Sequence, residues 1–232
     1  MISVIIPAYQ EAASVARVVS FVKSLTQVGE VLVVDDASTD LTAARAREAG
    51  ARVVVHEQNQ GKTAAVRTGA REARFEDVLM LDADLSGLVE EDFLEGIALY
   101  QEADMVVFDY GAQHWVVRYV VGMLPATSGV RLLKKQVLLE APFSERNPWE
   151  IEGVINRFVL SRGGVVRVVV ADQLFSPRKE SKYGRLRGAW LNLRSITYIL
   201  LSLGWLRVPR TLLDWWVFRR LRRRYLSAKC SG

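Results

Sequence analysis

Five short apolar runs, at residues 3–6, 31–34, 52–56, 78–81 and 105–108, alternate with stretches whose apolar residues recur at helical spacing. Runs this continuously apolar are what strands need when both faces of a sheet are covered, the usual condition of parallel sheets. The intervening stretches fit the covering helices. Residues 12–25 carry Val15, Val18, Val19, Val22 and Leu25 on one face, and residues 41–49 stop at Gly50. Residues 62–74 and 89–101 follow the same pattern. The alternation predicts an α/β fold, a mainly parallel sheet flanked by helices on both faces. Pro7 is expected to halt the first strand. Beyond Asp109 the expected elements are a helix over 115–124, extended chain over 127–133, a helix over 149–162 and a strand over 165–171. Residues 172–184 read as polar loop.

The chain has 232 residues, half of them hydrophobic and a quarter charged, which excludes extended disorder and allows a substantial core. Its single cysteine, Cys230, excludes an internal disulfide framework and fits a reducing compartment. The net charge of +5 is unevenly spread. From Ser176 onward there are 14 Lys or Arg against two acids, whereas residues 1–175 hold 17 against 24. This split divides the chain into an acidic body, 1–175, and a basic tail, 176–232, with an anionic partner expected for the tail. The opening Met1-Ile2-Ser3-Val4 lacks the basic region of a signal peptide.

The fourth apolar run ends in Asp82-Ala83-Asp84. Residues i and i+2 of an extended strand share a side, so the two carboxylates can converge at a strand's carboxyl end, where open α/β sheets bind ligands, although an Asp-x-Asp alone fits loop acids or a helix N-cap as well. Paired carboxylates call for a cation between them, and hard oxygens suit Mg²⁺ or Mn²⁺. Dinucleotide binding is disfavoured because the first strand leads into Pro7-Ala8-Tyr9-Gln10-Glu11 rather than a glycine-rich turn. Gly61-Lys62-Thr63 lacks the preceding glycine of a phosphate-binding P-loop. A dehalogenase-type phosphatase places its Asp-x-Asp on the first strand, not the fourth.

Six blocks in order carry a resemblance. They are Val4-Ile5-Ile6-Pro7-Ala8-Tyr9-Gln10-Glu11, Val33-Val34-Asp35-Asp36-Ala37-Ser38-Thr39-Asp40, Asn59-Gln60-Gly61-Lys62, Asp82-Ala83-Asp84, Ser128-Gly129-Val130-Arg131 and Arg178-Lys179-Glu180-Ser181-Lys182. Together they resemble family 2 glycosyltransferases with the GT-A fold, nearest the polyprenyl-phosphate (dolichol-phosphate-mannose-synthase-like) branch. The resemblance implies roles. Pro7, Tyr9 and Glu11 line a base and ribose pocket, Asp36 hydrogen-bonds the nucleotide, and Gly61 and Lys62 approach the phosphates. Asp82, Ala83 and Asp84 flank the donor, with Asp82 and Asp84 as metal ligands for Mg²⁺ or Mn²⁺ and Asp84 the direct one. Arg131, Arg178 and Lys182 are the expected phosphate partners. Ser38 or Asp40 is expected to cap the following helix.

Two departures from that branch stand out: Ser86-Gly87 after the Asp-x-Asp, and Ser176 and Lys179 where an Arg and a Gly are usual. The first puts a third metal contact at Ser86 in doubt. A phosphate acceptor needs no base, whereas a hydroxyl acceptor needs a carboxylate, for which Glu150 and Glu152 are the candidates. His56 and His114 read as structural.

In the tail, residues 186–206 read as a helix lying in a membrane interface. Residues 209–226 put Leu213, Val217, Leu221 and Tyr225 on one stripe beside Trp215 and Trp216, against five arginines between 219 and 224. That pattern implies an anionic membrane surface. The expectation is therefore inverting transfer of a sugar from a UDP- or GDP-linked donor to a lipid-linked acceptor, polyprenyl phosphate. The expected location is peripheral, on the cytoplasmic face of the cell membrane. No nucleic acid is expected as a partner. The alternatives are transfer to a hydroxyl of a glycolipid or small molecule, and an inactive nucleotide-sugar-binding or membrane-scaffold protein.

Overall fold

The computed structural model of the chain describes residues 1–110, 128–143 and 151–176. Seven strands form one sheet: β1 (Ile2–Ala8), β2 (Val28–Asp35), β3 (Arg52–Val55), β4 (Asp77–Met80), β5 (Met105–Tyr110), β6 (Arg131–Lys134) and β7 (Val166–Ala171). Among the described residues six helices surround it: α1 (Val15–Ser24), α2 (Thr42–Glu48), α3 (Lys62–Glu72), α4 (Glu90–Tyr100), α5 (Lys135–Glu140) and α6 (Ile151–Ser161). The strand order is β3-β2-β1-β4-β6-β5-β7. All pairings are parallel except those of β6, which runs antiparallel to both β4 and β5.

Period-two alternation sorts the apolar side chains into two cores. Val4, Ile6, Val31, Val33, Leu79 and Phe108 meet α1, α2 and α4 on one face. Ile5, Val78, Met80, Val107 and Leu133 meet α3, α5 and α6 on the other. Both faces are therefore buried, as the continuous apolar runs require. The mixed, mainly parallel α/β sheet flanked by helices expected from the sequence is the architecture found.

The first strand does not halt at Pro7; it runs through to Ala8, with Pro7 opposite Val34 of β2. Leu81 donates its N–H to Ile5 O, so the odd-numbered residues of β1 aim their backbone groups at β4. By Pro7 β4 has ended, so the missing N–H of proline removes no ladder bond. The helix expected from residue 12 begins at Val15, because Ser14 and Val15 both donate to Glu11 O in a preceding turn. The short helix α5 was not anticipated. Glu150, Arg178, Lys182, His114, the helix over 115–124 and the basic tail lie outside the described residues. Among the described residues no helix is long and apolar enough to cross a membrane.

Candidate functional site

The strand order reverses between β1, which has β2 and β3 on one side, and β4 on the other. Such a switch point leaves a crevice beyond the carboxyl ends of the strands. A cleft of about 360 Å³ lies there, lined by Pro7, Ala8, Tyr9, Glu11, Asp36, Lys62, Ala65, Asp82, Ala83, Asp84 and Ser176. Apart from Gly61, which is not in the lining, the expected donor-site residues of the first four blocks are thus gathered at one place from three loops and one helix start.

Cross-links hold the loops after β1 and β2 together. Gln10 N–H donates to Ser38 Oγ, Glu11 N–H to Thr42 Oγ1 and Ala12 N–H to Asp40 Oδ2. Asp40 Oδ1 in turn accepts from the Thr42 N–H at the start of α2, but the N-cap position is Leu41, one residue later, so neither Asp40 nor Ser38 is the capping residue expected, and Ser38 serves the β1 loop. Burial opposes ionisation of Asp40, but the Thr42 hydroxyl and the N–H groups of Thr42 and Ala12 outweigh it and hold its carboxyl below the ordinary value. Gln10 and Ala37 adopt positive φ, 58° and 62°, at the exits of β1 and β2.

Asp36 is buried, only 3% exposed, yet borders the cleft. Its Oδ1 receives the Gln60 N–H at 2.9 Å and lies 2.8 Å from His56 Nδ1, while Oδ2 receives the Gly61 N–H at 2.7 Å. His56 Nε2 is 3.0 Å from Thr68 Oγ1 on α3. A carboxylate only accepts, so Nδ1 carries a proton and donates. His56, read from the sequence as structural, therefore clamps a cleft residue. No spacing motif links positions 36 and 56, and the parallel pairing of β2 with β3 is what brings them together.

Lys62, the first residue of α3, places Nζ 2.7 Å from Asp82 Oδ1 and 3.1 Å from Glu152 Oε1. Glu152 stands in the first turn of α6, so this candidate acid is joined to Asp82 through a lysine. Gly129, just before β6, packs on this pair: a Cβ there would lie 2.6 Å from Asp82 Oδ2 and 2.7 Å from Lys62 Nζ. Asp84 accepts a hydrogen bond from Ser176 Oγ at 2.8 Å.

Arg131 departs from expectation. It is fully buried, donating from Nε to Ser128 O at 3.0 Å and from Nη1 to Asn156 Oδ1 of α6. As the first residue of β6, between β4 and β5, it turns its side chain into the core against α6 rather than to the cleft lining. At Ser86, where a third metal contact was in doubt, the hydroxyl accepts from Arg17 of α1 at 3.0 Å.

The donors around Asp82 and Asp84 are hard oxygens, which suits a small divalent cation. Among the described residues no cluster of three or more His, Cys, Asp or Glu could enclose an ion unaided. The fit is to a cation shared with a ligand's own oxygens.

Residues 3–119, half of the chain, match glycosyl transferase family 2, and the chain belongs to that family. Among curated relatives, glucosyl-3-phosphoglycerate synthase of Mycobacterium tuberculosis is 28% identical over 177 residues, 75% of this chain and 47% of that protein. The chain thus spans about half the length of these relatives. The undecaprenyl-phosphate 4-deoxy-4-formamido-L-arabinose transferase of Pseudomonas paraeruginosa is 38% identical over 101 residues, 39% of this chain and 30% of that one. The crystal structure of the mycobacterial synthase with Mn²⁺, UDP-glucose and phosphoglyceric acid has a TM-score of 0.67 at 22% identity, covering 87% of this chain and 79% of that one. The same enzyme with Mg²⁺ and UDP gives 0.68 at 22% identity, covering 88% and 78%. These likenesses bear out the GT-A fold.

Proposed function

We propose that the protein is a glycosyltransferase that takes its sugar from a nucleoside-diphosphate donor bound in the cleft beyond β1, β2 and β4. The convergence of Tyr9, Asp36, Lys62, Asp82 and Asp84 on one cleft at the switch point carries this reading. Tyr9, with Pro7 and Glu11 beside it, flanks the base and ribose. Asp36, fixed by two backbone N–H groups and His56, presents a carboxylate to the nucleotide. Asp84, with Asp82 beside it, would hold Mg²⁺ or Mn²⁺, which supplies positive charge where the departing diphosphate develops negative charge. Lys62 stands next to the same acids to add an ammonium.

In the reaction the bond between the anomeric carbon and the diphosphate oxygen breaks, and the nucleoside diphosphate leaves with its electron pair. A new bond forms to an acceptor oxygen, with inversion. The Trp and Arg pattern of residues 209–226, together with the similarity to an undecaprenyl-phosphate transferase, supports a polyprenyl phosphate acceptor and a body-plus-tail division near residue 176, with the tail on the cytoplasmic membrane surface. A second reading rests on Glu152, whose carboxylate is tied into the cleft through Lys62. It would take the proton of a hydroxyl acceptor, in a glycolipid or a small molecule. The mycobacterial synthase, whose name joins a glucosyl group to a small phosphorylated acid, is in keeping with it.

Thermal shift with UDP- and GDP-sugars, with and without Mn²⁺, tests the donor. Absence of any metal-dependent shift would refute the reading. Glu152→Gln separates the acceptors, since transfer to a phosphate keeps its rate and transfer to a hydroxyl falls by about two orders of magnitude.

A further inference from the structure

The turn after Asp84 is clasped to the segment that leaves β7. Ser86 and Phe175 exchange backbone hydrogen bonds of 2.9 and 3.0 Å, an isolated antiparallel bridge. Arg17 fixes the same turn from α1, donating to Leu85 O at 3.1 Å and Ser86 Oγ at 3.0 Å. Gly87 has φ +67°, and a Cβ there would stand 1.7 Å from the Gln173 carbonyl oxygen, so the clasp closes only on a glycine. One residue beyond the bridge, Ser176 Oγ donates to Asp84 Oδ2 at 2.8 Å and borders the cleft.

We propose that Ser176 is the positioning residue of the cation site, so that the exit of β7 orients Asp84 in a chain where the third metal contact at Ser86 is in doubt. The proposal rests on Asp84 being the cation's ligand. A carboxylate at a strand exit rotates about two side-chain bonds, and each rotation frozen in advance is entropy not lost when a cation binds. A hydroxyl orients Asp84 without adding a positive charge that would repel the cation. Groups that orient a metal's ligands act this way generally, and their loss typically weakens metal binding tenfold or more. The clasp explains why Ser86-Gly87 replaces the family's usual continuation: these two residues hold the β7 exit in place.

The test measures Mn²⁺ affinity of the full chain by electron paramagnetic resonance of free Mn²⁺, with UDP or GDP present at saturation. Ser176→Ala is expected to weaken Mn²⁺ binding about tenfold, while nucleotide affinity without metal stays unchanged. Ser176→Thr, which keeps the hydroxyl, restores Mn²⁺ affinity. Gly87→Ala, outside the cleft lining, gives the same loss by opening the clasp. Unaltered Mn²⁺ affinity in Ser176→Ala, or in a folded Gly87→Ala protein, overturns the proposal, as does an equal loss in the Ala and Thr variants. Asp84→Ala distinguishes the deeper failure. If it too leaves Mn²⁺ affinity unchanged, the assignment of the cation site falls, and the role of Ser176 with it.

Discussion

At the amino end of the sheet, Glu30 of β2 accepts from the Ser3 hydroxyl, the Arg74 N–H and Arg52 Nε, and Arg52 continues to Glu72. At the carboxyl end, Lys62 lies between Asp82 and Glu152, Asp84 takes a serine hydroxyl, and all but Glu152 border an open cleft. The same residue types serve opposite ends. The Glu30 side chain is 4% exposed, whereas Lys62 and Asp82 are 32% and 22% exposed. The backbone differs in the same sense. Among the described residues, the two non-glycine positions with positive φ, Gln10 and Ala37, both lie at the carboxyl end. Charges that close on one another contribute stability; charges held at a cleft by strained turns are arranged for a ligand.

This contrast sets the largest expected effect. Asp84→Ala should lower transfer activity by at least about 10³-fold, roughly 4 kcal/mol of transition-state stabilisation, with little change in melting temperature. A large loss of stability with activity retained would reverse the assignment of the two ends.

Glu30→Gln should do the opposite, destabilising the fold by about 3 kcal/mol because Arg52 loses a buried partner, while nucleotide affinity of the folded protein stays unchanged. Burial pushes the Glu30 carboxyl up, but the Arg74 N–H, the Ser3 hydroxyl and Arg52 outweigh it and hold it below its ordinary value. A depressed folded value means this contribution is complete above the unfolded value, about 4.3, and is lost as pH falls through the folded one. Denaturant titrations between pH 6 and pH 3 should show stability falling more steeply in wild type than in Glu30→Gln. Parallel profiles would show that Glu30 is not the group concerned.

Strain gives a smaller effect. Ala37→Gly should stabilise the protein by about 1 kcal/mol, since glycine reaches φ 62° without the Cβ penalty. The same replacement at Ala46, buried in the middle of α2, should destabilise by about 1 kcal/mol. Chemical denaturation of both variants decides whether the sign changes between a cleft turn and a helix.

What could be read from the sequence follows from the range over which each signal acts. Strands and helices are local patterns, and those expected within the described residues return with boundaries shifted by a few residues, while Asp82 and Asp84 both border the cleft from the turn after β4 rather than from the strand itself. One shift sits where backbone direction decides, at Pro7, whose N–H position faces past the end of β4. Contacts that cross the sheet left no local trace. Ser176 meets Asp84 across 92 positions, and Lys62 meets Glu152 across 90. Arg131 misled because an arginine after Ser-Gly-Val reads the same whether it faces a phosphate or Asn156. Only the antiparallel placement of β6 against β4 and β5 turns it inward.

The smallest expected effect concerns His56, which belongs to neither end's rule: it is nearly buried, with a side chain 7% exposed, yet supports a cleft residue. Asp36 keeps two backbone N–H donors without it, so the loss should be modest. His56→Phe should raise the donor KM about threefold, roughly 0.7 kcal/mol, with kcat unchanged, because on the proposed reading Asp36 would face the nucleotide and not the reacting carbon. His56→Asn retains a donor near the position of Nδ1 and should recover most of the loss. If Phe and Asn behave alike, the histidine acts by filling space between β3 and α3, and the hydrogen bond to Asp36 has no part in holding the donor. If instead kcat falls with KM unchanged, Asp36 lies closer to the chemistry than its place at the end of β2 implies.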